Sequence, residues 1–128
     1  MRRLTSPPRV LVVDDDRTVC EFLGDCLRRR ESGCVVETAG TGAGAIDAVH
    51  RRRPDLVLLD VALPDLSGLD VLRLIRQLNP RLPVIIITGA RDPRAAAEAM
   101  QSGAFALIPK PFSAIYVENL VEAALEAG

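Results

Sequence analysis

The chain has 128 residues, enough for one domain with a single core and too few for two. Its 48% hydrophobic and 26% charged residues are ordinary for a globular protein, and a net charge of −1 gives no electrostatic reason to expect a nucleic-acid partner. No apolar run approaches the roughly 20 residues of a membrane helix, and the basic start MRRLTSPPR lacks the apolar stretch of a secretory signal.

Residues 1–8, with Pro7 and Pro8, read as a flexible tail ahead of a domain at 9–128. From there apolar runs alternate with helix-period segments five times. RVLVVD at 9–14 predicts a strand. Val19, Leu23, Cys26 and Leu27 then mark a helix over 17–30, with Asp16 as its N-cap. CVVET at 34–38 predicts a short second strand. Gly40, Gly42 and Gly44 predict a loop, followed by a helix from Ala45 to Arg52 that Pro54 stops. LVLLD at 56–60 predicts the third strand and Asp65 falls in the loop after it. Leu69, Leu72, Ile75 and Leu78 share one helix face, ended by Asn79-Pro80. PVIIIT at 83–88 predicts the fourth strand. An alanine-rich helix runs from Asp92-Pro93 to Ser102, FALI at 105–108 predicts a fifth strand, and Ser113 caps a last helix.

Strands joined by helices of ten or more residues need crossover connections, which predicts an α/β fold with a parallel sheet and helices on both faces. The arginine triplets at 28–30 and 51–53, and His50, read as solvated helix ends. Cys20, Cys26 and Cys34 have no metal-ligand spacing and read as small buried hydrophobes. One histidine supports neither a zinc site nor a Ser/His/Asp triad. The GAGAI stretch lacks the Lys-Ser/Thr of a P-loop.

The chemistry-bearing residues stand where the apolar runs stop: Asp14 and Asp15 after VLVV, Asp60 after LVLL, Thr88 after VIII, Lys110 shortly after ALI. Lys110 is the single lysine in the chain; the other fifteen cations are arginines. In an open parallel sheet the strand C-termini face one crevice, where ligands bind. Three carboxylates sharing it must take up protons or bind a cation, and an all-oxygen site suits Mg²⁺. A carboxylate beside that ion, a hydroxyl and an ammonium forms a plausible phosphoryl acceptor. Asp60, alone at its strand end, is the best nucleophile candidate, while Asp14 and Asp15 are adjacent and share metal duty.

At these positions the sequence resembles the receiver domains of bacterial two-component response regulators. The matching stretches are VLVVDDD at 10–16, PDLVLLDVALPDLSG at 54–68, PVIIITGA at 83–90 and SGAFALIPKPF at 102–112, in the family's order. The resemblance implies a flavodoxin-like, doubly wound five-stranded parallel sheet of order 2-1-3-4-5 with five helices on two faces. It implies that a sensor histidine kinase or phosphotransfer protein phosphorylates Asp60 from a phosphohistidine. Asp15 matches a direct Mg²⁺ ligand, Asp14 a ligand acting through water, and the Ala62 backbone carbonyl a further ligand. Thr88 matches a hydroxyl that moves to the phosphoryl group, Lys110 the family's lysine with a cis bond to Pro111, and Gly89 a position kept small for the phosphodonor. The implied protein is a cytoplasmic signalling phosphoprotein rather than an enzyme, with slow self-dephosphorylation. Its face of fourth helix, fifth strand and fifth helix serves a downstream target, an output domain or a second copy, with no direct contact to nucleic acid or membrane.

The pattern breaks at the switch position, Leu107, where the family usually has an aromatic residue, and Ala106 replaces a common aspartate. Ala62 and Ala90 carry no side chain to orient or exclude water, which predicts neither fast nor strongly blocked self-dephosphorylation. Leu107 keeps open an alternative, a phosphorylation-independent interaction module with the receiver fold. An aspartate-nucleophile phosphohydrolase would need a second acid at position 62, which is alanine.

Overall fold

The computed structural model describes residues 6–89 and 93–127. Ten elements alternate: β1 (Arg9–Val13), α1 (Arg17–Arg28), β2 (Val35–Ala39), α2 (Gly42–Arg51), β3 (Leu56–Asp60), α3 (Gly68–Leu78), β4 (Val84–Thr88), α4 (Pro93–Gln101), β5 (Ala106–Pro109) and α5 (Ala114–Ala127). All strand pairs are parallel and the order is β2-β1-β3-β4-β5. This is the expected order.

The apolar runs explain the two-layer core. Successive strand side chains point to opposite faces. Leu11, Val13, Val57, Leu59, Val84 and Ile86 therefore pack under α2, α3 and α4, against Ala45, Ala48, Leu72, Ile75 and Ala99. Val10, Val12, Leu56, Leu58, Ile85 and Ile87 pack under α1 and α5, against Leu23, Leu27, Val117, Val121 and Leu125. Every residue of β3 and β4 is buried, which is why those runs show no polar alternation.

Three readings need correction. The expected tail reached residue 8, but Pro8 is buried and its carbonyl accepts from the Val35 amide at 2.8 Å, so strand pairing starts before Arg9; residues 1–5 of that tail lie outside the described residues. The glycine stretch does not stay in a loop. α2 begins at Gly42, because Thr41 and a distant carboxylate cap its first amides and outweigh the weak helix preference of glycine. The first arginine triplet is not simply solvated: Arg30 forms a two-pronged ion pair with Glu122, its Nη1 donates to the Gly33 carbonyl at 2.7 Å, and Arg29 lies 3.6 Å from Glu118. These contacts join α1 to α5. In the second triplet Arg51 pairs with Asp47 and Glu37, while Arg52 and Arg53 are exposed as expected.

Asp16 caps α1, accepting from the Thr18 amide at 2.9 Å, and Ser113 Oγ accepts from the Tyr116 amide in the first turn of α5. Cys26 is buried and Cys20 and Cys34 are half-buried, all three as free thiols; His50 is exposed in the last turn of α2.

Candidate functional site

The sheet order sets β1 and β3 side by side, so the residues that follow or end them meet at one rim. Asp14 follows β1, Asp60 ends β3 and Thr88 ends β4. These are the three buried polar or charged residues among those described, at 2%, 4% and 7% exposure in a core otherwise apolar. Buried carboxylates are rare unless paired or metal-bound. Asp15, exposed, completes the group: one carboxylate oxygen from each of Asp14, Asp15 and Asp60 lies within 4.8 Å of the others.

Lys110 reaches this cluster from the turn after β5. Its Nζ stands 3.3 Å from Asp60 Oδ2 and 3.5 Å from Asp14 Oδ2. Its backbone amide donates to the Thr88 carbonyl at 2.7 Å, extending the β4–β5 ladder to the edge of the site. The Lys110–Pro111 bond is cis, as expected. Asp60 Oδ1 accepts from the Ala62 amide at 3.1 Å, and Asp14 Oδ1 from the Asp16 amide at 2.9 Å. Each buried carboxylate thus has one oxygen tied to the backbone and the other turned to the ammonium.

One ammonium does not balance three carboxylates. Burial pushes the Asp14 carboxyl above the ordinary carboxylate range, and repulsion from Asp60 adds to this, while the Asp16 amide and Lys110 oppose it. Burial pulls the Lys110 ammonium down, but Asp60 and Asp14 together outweigh it and hold its pKa above the usual lysine value. The site carries a net deficit of about two positive charges, is lined by carboxylate oxygens, and has no imidazole or thiolate among the three clustered groups. That donor set fits a hard divalent cation.

Residues 10–123 match the family model described as the response regulator receiver domain. The chain belongs to that family. A curated relative, the probable transcriptional regulatory protein TcrX of Mycobacterium tuberculosis, is 44% identical over 114 residues, covering 88% of this chain and 48% of its own length. The DNA-binding transcriptional regulator NtrC of Escherichia coli K12 is 40% identical over 116 residues, covering 91% of this chain and 24% of its own. The chain therefore spans less than half of these curated relatives. Among solved structures, the receiver domain of NtrX from Brucella abortus superposes with a TM-score of 0.84 at 34% identity, covering 93% of this chain and 99% of that one. A CheY-like receiver domain protein from Methanospirillum hungatei gives 0.88 at 27% identity, covering 94% and 95%. This receiver domain is that of a two-component response regulator, with a flavodoxin-like fold.

Other positions singled out in the sequence fall as follows. A Cβ at Gly89 would make ordinary contact with the Lys110 stem, so the backbone packing does not itself demand glycine there. Ala90 lies outside the described residues. Leu107 is half-buried against the α2–α4 side of the core, and its carbonyl accepts from Tyr116 Oη at 3.4 Å. Phe105, the first residue of the expected fifth strand, precedes β5 and is exposed. Among the described helices none is long and apolar enough to cross a membrane.

Two features escaped the sequence reading. Phe22 and Phe112 pair with ring centroids 5.6 Å apart and line an apolar groove of about 660 Å³ that continues past Val19 and Gly89 to Lys110. Asp65 accepts two hydrogen bonds from α2, at the amides of Gly42 and Ala43. Neither has a local signal, since each joins segments more than 20 residues apart.

Proposed function

We propose that this receiver domain accepts a phosphoryl group on Asp60 from the phosphohistidine of a sensor histidine kinase or phosphotransfer protein, with Mg²⁺ bound at the acidic cluster. The observation that supports it most is the pair of buried carboxylates, Asp14 and Asp60, held within 3.5 Å of the chain's single lysine beside an exposed third acid. Asp14, Asp15, Asp60 and the Ala62 carbonyl would hold the ion, which supplies charge neutralisation for the transferred phosphoryl oxygens.

The chain's own residues account for the rest. An Asp60 carboxylate oxygen attacks phosphorus, the bond from phosphorus to the imidazole nitrogen breaks, and the imidazole leaves with the electron pair and takes up a proton. The Ala62 amide fixes the carboxylate plane through Oδ1. Lys110 is placed to follow the developing charge, already sharing Asp60 Oδ2. The groove of Val19, Phe22 and Phe112 opens on Lys110 and Gly89 and gives the phosphodonor its approach. Added charge on Asp60 draws the Thr88 hydroxyl and Lys110 inward, and the face of α4, β5 and α5 moves between two packings. Such coupling is typically worth about 1–3 kcal/mol. That face, with Met100, Ile115 and Tyr116 exposed, is then read by a target, an output domain or a second copy.

Intact-mass measurement after incubation with acetyl phosphate and Mg²⁺ tests this. One phosphoryl group should appear on the wild type and be absent from Asp60→Asn or when the metal is chelated; an Asp60→Asn protein that labels equally sinks the assignment. Leu107 supports a second reading, a phosphorylation-independent module, because an aliphatic side chain already half-buried has no ring to swing inward. Equal partner affinity of labelled and unlabelled protein would select it.

A further inference from the structure

The loop between β3 and α3 is closed at its base and anchored at its tip. At the base, Ala62 and Ser67 form an isolated antiparallel bridge, and the Gly68 amide donates to the Val61 carbonyl at 2.7 Å. A Cβ on Gly68 would overlap the Asp60 carbonyl, so the helix start presses directly on the end of β3. At the tip, Asp65 Oδ1 accepts from the Gly42 amide at 2.7 Å and Oδ2 from the Ala43 amide at 3.0 Å. With Thr41 Oγ1 on the Gly44 amide and the Thr41 carbonyl on Ala45, the first four amides of α2 are all satisfied. Two of the four depend on a residue over 20 positions downstream. The Ala43 and Gly42 amides hold the Asp65 carboxyl below the usual carboxylate range. Gly42 also permits the approach, since a Cβ there would meet Leu66 and Val71 side chains at 2.9 Å.

A continuous path therefore runs from α2 through Asp65 to the loop base, and from the Ala62 amide to Asp60 Oδ1. We propose that Asp65 is a positioning residue for the phosphoacceptor site: its tether to α2 fixes the Ala62 backbone, which orients the nucleophile by its amide and offers the metal its carbonyl. The metal half of this rests on the function proposed above; the orientation of Asp60 does not. Partners that orient metal ligands typically contribute about 10–100-fold to affinity. Asp65 acts one step further away, so about tenfold is expected.

The experiment pairs Asp65→Ala with Thr41→Val. Both remove caps from the same helix end, but the Thr41 hydroxyl accepts from the Gly44 amide of α2 itself, whereas Asp65 reaches α2 from the loop. Amide hydrogen exchange on the metal-free proteins should show faster exchange at Ala62 and Gly68 in Asp65→Ala and unchanged exchange there in Thr41→Val. Mg²⁺ titration followed by amide chemical shifts should give about tenfold weaker binding for Asp65→Ala, near wild-type binding for Thr41→Val, and partial recovery in Asp65→Asn, which keeps one of the two acceptor oxygens. Equal effects of the Ala and Val variants at Ala62 and on Mg²⁺ would reduce Asp65 to a helix cap and overturn the proposal, as would an unperturbed loop in Asp65→Ala. A wild type that binds no Mg²⁺ would instead remove the function proposed above and leave the exchange comparison standing as the test of the tether.

Discussion

The two ends of the sheet treat charge in opposite ways. At the end where the strands begin, Arg30 at the close of α1 meets Glu122 of α5, and each charge has its opposite. At the end where the strands finish, Asp14, Asp15 and Asp60 face one ammonium. The first arrangement joins the end of α1 to α5 and adds little to stability. The second leaves unbalanced charge under burial, which weakens the fold and which the proposed cation would offset.

The largest expected effect separates the ammonium from the acids. Lys110→Met should slow phosphoryl transfer from acetyl phosphate about 100-fold, because a placed donor to the developing charge is gone. Stopped-flow or quenched labelling at saturating Mg²⁺ reads this, and an unchanged rate would mean Lys110 only balances the resting site. A smaller effect has the opposite sign for stability. Asp14→Asn keeps an acceptor for the Asp16 amide and removes the charge that burial and Asp60 disfavour. It should raise stability without Mg²⁺ by about 1 kcal/mol, roughly 3–5 °C in melting temperature, while weakening Mg²⁺ binding. A lower melting temperature would show that the acids are not in conflict.

The smallest effect belongs to the balanced end. Arg30 holds the Glu122 carboxyl below its ordinary value. The folded-state pKa is depressed, so the pair's contribution is present above about 4.5 and is lost as pH falls through the folded value. Glu122 is half exposed, so solvent screens much of it and well under 1 kcal/mol is expected. Melting curves of Glu122→Gln should differ slightly from wild type at pH 7 and converge with it in acid. A gap that widens on acidification would contradict the depressed carboxyl.

How much of this was legible in the sequence follows the same division. The runs VLVV, LVLL and VIII carry their own evidence, because a strand buried on both faces has no polar alternation, and the acids and the threonine at their ends mark the candidate site. The strand order came from resemblance; periodicity alone gives parallel strands and not which are neighbours. What stayed hidden is what depends on distant partners. Arg30 looks like any charged helix end until Glu122, 92 residues later, lies against it. Gly42 and Gly44 look like part of a loop until Asp65 caps the helix they begin. Leu107 is readable as a departure, but its carbonyl's contact with Tyr116 depends on how α5 sits against β5.

We propose one metal-dependent acceptor around Asp60, formed by residues that follow β1, end β3 and lie in the β5–α5 turn. The most direct measurement is hydride reduction of the phosphorylated protein followed by peptide mass spectrometry, which converts an aspartyl phosphate to homoserine. Homoserine is expected at position 60 alone, in samples given acetyl phosphate with Mg²⁺ and not in those given chelator. Homoserine at another aspartate, or at position 60 regardless of metal, would contradict it.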